Sequence, residues 1–167
     1  FLKISKDNQR EKNSFLKGIH DAGKSLNLNI DHLSFEISED MPYGKFIAAG
    51  TYTRNELLPN TFGSKDLFIS MLGSHRGELG GSRYLHLLNQ ENKGNRPVVD
   101  LLMESRLQEA VLTGIHGGLI QSARAIGRGG VALAIAKSFE KKSNLGARIH
   151  FSRKLKTEEL LFGETQG

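Results

Sequence analysis

Apolar positions along the chain follow two spacings, and each spacing predicts an element. Between residues 15 and 26 they fall at Phe15, Leu16, Ile19, Ala22, Gly23 and Leu26. That is a helical stripe, with Ser14 placed to cap its start. Residues 28–30 and 33–37 alternate and predict strands, as does the short apolar run 46–52. Leu2 and Ile4 alternate more briefly, which fits an edge strand or a frayed end. Residues 54–64 carry Pro59, Asn60 and Gly63 and read as a connection. They set an expected boundary between one region at 1–62 and another at 63–167.

Beyond that boundary, 67–72 (Leu-Phe-Ile-Ser-Met-Leu) predicts a buried strand. A glycine-rich stretch follows to Ser82, which is placed to cap a helix over 84–88. Residues 89–97 are polar and predict a loop. Asp100 caps a longer helix with Met103, Leu107, Ala110, Val111, Gly114 and Ile115 on one face, and Gly117-Gly118 ends it. Gly127-Arg128-Gly129-Gly130 opens another helix, with Val131, Ala134, Ile135 and Phe139 on its apolar side. Residues 147–151 alternate as a strand, and Thr157 caps a short turn over 158–161. Strands and helices alternate loosely, which predicts α+β or α/β layers.

Composition narrows this picture. At 38% hydrophobic and 25% charged, the 167 residues are ordinary globular material, one domain or one domain with a piece of another. With no cysteine there is no disulfide framework, thiolate metal site or Cys nucleophile. No apolar run approaches the ~20 residues of a membrane span. No signal-peptide h-region opens the chain. A soluble, cytoplasmic protein is therefore expected. Because it begins at Phe1 and not at Met, it is expected to be a piece of something longer.

Charge adds less than its total suggests. The net charge is +5, and between Lys137 and Lys156 seven Lys or Arg face one acid, Glu140. Aromatic residues do not interleave with these cations as a base-stacking platform requires, so nucleic acid is not expected as a partner.

Two segments could hold an anion. Residues 67–82 read as strand, glycine loop and helix, and backbone N–H groups at such a start attract phosphate. No Gly-Lys-Ser/Thr closes the loop and no Gly-x-Gly-x-x-Gly occurs in it, so it is neither a P-loop nor a dinucleotide fingerprint. A tight turn in which Gly80-Gly81 permits close helix packing explains it equally. The Gly127–Gly130 segment is the second candidate, with Arg124 and Arg128 adding charge, and a plain turn between helices is its alternative. The six histidines (His20, His32, His75, His86, His116 and His150) show no zinc spacing. Asp31, His32 and Ser34 cannot form a hydrolytic triad from one strand, because alternation sends neighbours to opposite faces.

The order of segments is more informative than any one of them. Residues 66–73 (Asp-Leu-Phe-Ile-Ser-Met-Leu-Gly) precede 76–85 (Arg-Gly-Glu-Leu-Gly-Gly-Ser-Arg-Tyr-Leu). Val98-Val99-Asp100-Leu101 and Gly118-Leu119-Ile120-Gln121-Ser122-Ala123 follow. Residues 129–136 (Gly-Gly-Val-Ala-Leu-Ala-Ile-Ala) and 161–167 (Leu-Phe-Gly-Glu-Thr-Gln-Gly) complete the series. The series resembles the second C-type domain of the phosphoribosylformylglycinamidine synthase family, a domain type shared with aminoimidazole ribonucleotide synthetase and selenophosphate synthetase. The resemblance covers 66–167. Residues 15–52 resemble, more weakly, the end of the preceding ATP-binding-type domain.

The resemblance implies an α+β domain with a layered mixed β-sheet covered by helices, preceded by a partial ATP-binding-type α+β domain. It implies part of an ATP-dependent ligase of purine biosynthesis. Such an enzyme converts formylglycinamide ribonucleotide, ATP and glutamine-derived ammonia to formylglycinamidine ribonucleotide. ATP and magnesium are implied as cofactors of the full-length enzyme, with none expected in this piece. The implied partners are the remaining synthetase domains and a glutaminase subunit or domain. Asp31 stands where the family has a glycine, His32 where it has a metal-binding asparagine, and Ser34 is shared. By the resemblance Asp31, His32, Gly80, Gly81, Ser82, Arg128, Gly129 and Gly130 lie on the nucleotide side. Ser34, Glu164, Thr165 and Gln166 lie on the substrate side. The family's acidic segment before its paired glycines reads Arg124 to Gly130 here, with two arginines and no acid. No catalytic residue is expected in this stretch, which alone should frame the cleft. The alternative is a non-enzymatic phosphate-binding, nucleotide-binding or assembly domain that uses Arg76, Arg124 and Arg128.

Overall fold

The computed structural model describes residues 2–5, 9–30, 35–38, 43–44, 51, 57–90, 93–139, 144–151 and 154–165. The chain divides into two units, Phe1–Tyr52 and Thr53–Gly167.

In the first unit, β1 (Leu2–Ser5) leads into α1 (Gln9–Ser25), followed by β2 (Phe35–Ser38) and β3 (Tyr43–Gly44). Strand order is β2-β1-β3. β1 and β2 run parallel, with Leu2 beside Phe35 and Ile4 beside Ile37. Parallel neighbours need a long crossover, and α1 provides it. β3 pairs antiparallel on the other side, with Lys3 beside Tyr43. β1 is thus the central strand and not the edge or frayed end that its short alternation suggested. A four-residue alternation looks the same whether one or both of its sides are paired.

α1 starts at Gln9, a full turn before Ser14, so Ser14 does not cap it. Its first turn is polar and lies outside the apolar stripe by which the helix was recognised. Asn27 takes φ 52°, and Leu28 N donates to Gly23 O at 2.8 Å, which closes the helix end. Gly23 is buried, and Ile30 lies over it so closely that a Cβ there would meet Ile30 Cδ1 at 2.9 Å. Residues 28–30, expected as a strand, form this cover instead. The strand expected over 46–52 lies outside the described residues except for Thr51.

The second unit holds α2 (Arg83–Leu87), α3 (Leu101–His116), α4 (Gly130–Ser138) and α5 (Thr157–Phe162). Ser82 and Asp100 cap α2 and α3 as their spacing predicted. Ser82 Oγ accepts from Leu85 N at 3.3 Å and Asp100 Oδ1 from Met103 N at 3.0 Å. Gly118 at φ 68° follows the end of α3. α5 is capped at Lys156 and not at Thr157, and Lys156 N donates to the Glu159 carboxylate at 3.1 Å. Leu85 and Val131 are the buried hydrophobic residues among those described, so the unit's dry centre lies where α2 and α4 approach the chain's C-terminal segment.

Neither strand expected in this unit forms among the described residues. Residues 144–151 are irregular. Residues 67–72, expected to be buried, run along the surface, and Phe68 is 100% exposed. The layered mixed sheet expected for 63–167 is therefore not built by the described residues of this unit. A continuous apolar run marks a segment that would gain by burial, but it does not supply the neighbouring strands that would bury it.

Candidate functional site

The two glycine segments are brought together, and their own geometry explains the glycines. Gly80 N donates to Asn95 O at 2.7 Å, and a Cβ at Gly80 would lie 2.6 Å from the Asn95 carbonyl. Only a glycine lets the 79–81 backbone approach 94–96 this closely. Gly130 takes φ 65°, and a Cβ there would lie 2.6 Å from Leu161 O. The start of α4 is thereby pressed against the end of α5. Gly81 (φ 75°) and Gly129 (φ 87°) both require the left-handed region, and Gly129 is the N-cap of α4.

Glu164 occupies the junction between the two segments. Its Oε1 accepts from Arg83 N and from Gly129 N, each at 2.8 Å. Arg83 is the first residue of α2, and Gly129 caps α4. One carboxylate oxygen therefore satisfies an orphan N–H at the start of each helix, where negative charge is favoured. Glu164 N also donates to Glu78 O at 3.0 Å.

Thr165 is 4% exposed, and its Oγ1 accepts from Arg76 N at 3.3 Å and Glu78 N at 3.5 Å. Glu78 Oε1 accepts from Val98 N at 3.3 Å, while Oε2 is buried with no partner among the described residues. A histidine ring bond, His75 Nε2 to Leu160 O at 2.8 Å, ties the same loop to α5. Tyr84 and Phe162 stack with ring centroids 4.8 Å apart and planes 2° from parallel.

Of the residues singled out in the sequence, Glu164 bonds Gly129 and Thr165 bonds the 76–78 loop, while Gly80, Gly81, Ser82 and Gly130 lie next to these contacts along the chain. Arg128, next to Gly129, is exposed. Asp31, His32, Ser34 and Gln166 lie outside the described residues. Among the described residues, no group of three or more His, Asp or Glu could hold a metal ion.

Arg124 was expected to add charge to the Gly127–Gly130 turn. It serves the opposite end of α4 instead. Its Nε donates to Asn60 O and to Ser138 Oγ, each at 3.0 Å, and its Nη2 to Lys137 O at 2.9 Å. Ala123 N donates to Pro59 O at 3.1 Å and Phe62 N to Ser138 O at 2.7 Å. Phe62 and Phe139 meet edge to face at 5.1 Å. Sequence reasoning missed this clamp and the Glu78–Val98 bond. No local pattern signals either, because Asn60 and Arg124 are 64 residues apart.

No helix among the described residues is long and apolar enough to cross a membrane. Three comparisons with known proteins complete the picture. The family model of AIR synthase related protein, C-terminal domain, matches residues 67–167. The phosphoribosylformylglycinamidine synthase subunit PurL of Alkaliphilus metalliredigens is 38% identical over 98 residues, and that of Caldanaerobacter subterraneus is 42% identical over 98. Each alignment takes in 59% of this chain and 13% of the relative. The PurL subunit of Anaeromyxobacter sp. strain K is 32% identical over 114 residues, 63% of this chain and 15% of the relative. The chain thus spans about one seventh of the length of the curated relatives it matches. No solved structure matches it significantly. With the matched region spanning both glycine segments and the Glu164 junction, the chain belongs to the family of AIR synthase related proteins, C-terminal domain.

Proposed function

We propose that this chain is the cleft-framing C-terminal part of an ATP-dependent phosphoribosylformylglycinamidine synthase. In that reaction a phosphorylated amide oxygen of formylglycinamide ribonucleotide is displaced by glutamine-derived ammonia. The relatives named PurL support the assignment. Residues 63–167 are the C-type domain in this reading, and 1–62 the end of an ATP-binding-type domain. Leu67 to Leu72 finds its strand neighbours in the longer protein, within a layered sheet.

The observation that carries the framing role is the Glu164 carboxylate. Phosphoryl transfer depends on fixed donors aimed at developing charge. Here Arg83 N and Gly129 N, the donors that two glycine turns would offer to a phosphate, already bond Glu164. These two donors are therefore not free for a phosphate. We assign ATP and magnesium to the rest of the synthetase, together with the contact to its glutaminase partner. Glu164 and Thr165 then act on substrate indirectly, by fixing the loops that border the cleft. The same filled junction weighs against a free-standing phosphate-binding module.

The test is a pair of assays. The 167-residue chain alone, given formylglycinamide ribonucleotide, ATP and ammonium, is expected to show no turnover; measurable turnover would overturn the framing role. A PurL subunit deprived of its own second C-type domain should regain activity when this chain is fused in its place. No recovery by a folded fusion would remove the ligase reading.

A further inference from the structure

α4 is held at both ends by charged side chains, and each charge suits the end it holds. Its N-cap residue Gly129 donates to the Glu164 carboxylate at 2.8 Å. Its C-terminal carbonyl at Lys137 and the Ser138 hydroxyl accept from the Arg124 guanidinium at 2.9 and 3.0 Å. An anion at the start and a cation at the end both complement the helix dipole. Between them run nine residues, roughly 13 Å of helix, whose Gly130, Val131 and Ser138 are buried.

What hangs from each end gives the arrangement its meaning. At the C-terminal end, Arg124 also holds Asn60 O, Phe62 N bonds Ser138 O, and the Phe62 and Phe139 rings meet. This is the segment 57–62, which precedes the family-matched residues 67–167 within the second unit. At the N-terminal end lies the Glu164 junction with Arg83 N. A packed helix moves largely as one body, and close-packed interiors transmit strain from one end of it to the other.

We infer that α4 is a strut coupling segment 57–62 to the Glu164 junction, with Arg124 as the positioning residue that engages it. The position of segment 57–62 then biases how tightly the two glycine turns, at 80–81 and 129–130, are held. This inference concerns the second unit, Thr53–Gly167, and does not depend on the ligase reading.

Amide hydrogen exchange of the whole chain, resolved by residue, tests it. In Arg124→Gln the planar fork is lost, and bonds to a charged donor are among the stronger ones. Protection of the Arg83 and Gly129 amides is expected to fall about tenfold, while that of α3 amides stays unchanged. Loss confined to residues 57–62 and 137–139, with Arg83 and Gly129 as protected as in the parent, would show a local clamp and overturn the strut. Should Arg124→Gln lower α3 protection too, Arg124→Lys decides. It keeps the charge without the fork, and it must loosen Arg83 and Gly129 selectively for the inference to stand. The reciprocal measurement is Glu164→Gln, which should loosen the Phe62 amide if the coupling is real and leave it untouched if not.

Discussion

Glu164 and Gly129, 35 positions apart, meet through a 2.8 Å hydrogen bond, and the same carboxylate oxygen accepts from Arg83 N at 2.8 Å. One side chain near the end of the chain thus closes two helix starts. Glu164→Ala removes both bonds and leaves two N–H groups unpaired. The expected cost is about 2–3 kcal/mol, from the worth of bonds to a charged acceptor. It is read as a lower urea midpoint at unchanged slope. Glu164→Gln keeps an acceptor and should lose less than half as much. Equal losses for the two variants would mean that the charge carries the whole effect and a neutral acceptor contributes nothing.

The two φ-positive glycines at the helix starts should respond very differently to a methyl group. Gly81 opens on empty space, so Gly81→Ala meets only the backbone cost of a left-handed residue, about 1–2 kcal/mol. At Gly130 the new Cβ would lie 2.6 Å from Leu161 O and 2.8 Å from Phe162 C. Backbone atoms cannot rotate away, so strain and overpacking add to roughly 3 kcal/mol or more. Similar midpoints for the two variants would contradict the close approach of α4 and α5.

Ser82 is 1% exposed and caps α2 through Leu85 N. Ser82→Ala should cost about 1 kcal/mol, the usual worth of such a cap. Because α2 has only five residues, the loss should appear locally as faster exchange at Leu85 and His86. Unchanged exchange there would show that tertiary contacts alone hold the turn.

Thr165→Val keeps the shape and removes the acceptor for Arg76 N and Glu78 N. Those bonds are long, 3.3 and 3.5 Å, so the expected loss is about 1 kcal/mol. Thr165→Ser, which restores the hydroxyl, should recover most of it. A loss in Thr165→Ser with none in Thr165→Val would place the contribution in the packing of the methyl group and not in the hydroxyl.

What the sequence made legible was whatever is decided within a turn or two of helix. Ser82 and Asp100 each sit at a helix start, because their caps are bonds to a residue three positions on. The junction as a whole was only half legible. Gly80, Gly129 and Glu164 stood out one by one, and the order of the segments tied them to one domain type. Which group would fill the glycine turns was not legible, since a phosphate and the chain's own carboxylate satisfy the same N–H groups. Residues 67–72 show the opposite limit. Their apolar content is plain, yet their exposure depends on strand neighbours that no local pattern contains. Arg124 misled for a related reason. Its charge could be counted, but its carbonyl partners at Asn60 and Lys137 could not be foreseen.

The stacked pair Tyr84 and Phe162 also gives the molecule an optical reporter. The chain has no tryptophan and three tyrosines, and Tyr84 is the one within residues 53–167. Its ring lies nearly parallel to Phe162 at 4.8 Å, locked in an asymmetric setting between α2 and α5. Near-ultraviolet dichroism and tyrosine emission from Tyr84 should therefore register the opening of this junction directly. A Phe162→Leu chain, which lacks the stacked ring, identifies which part of the signal that is.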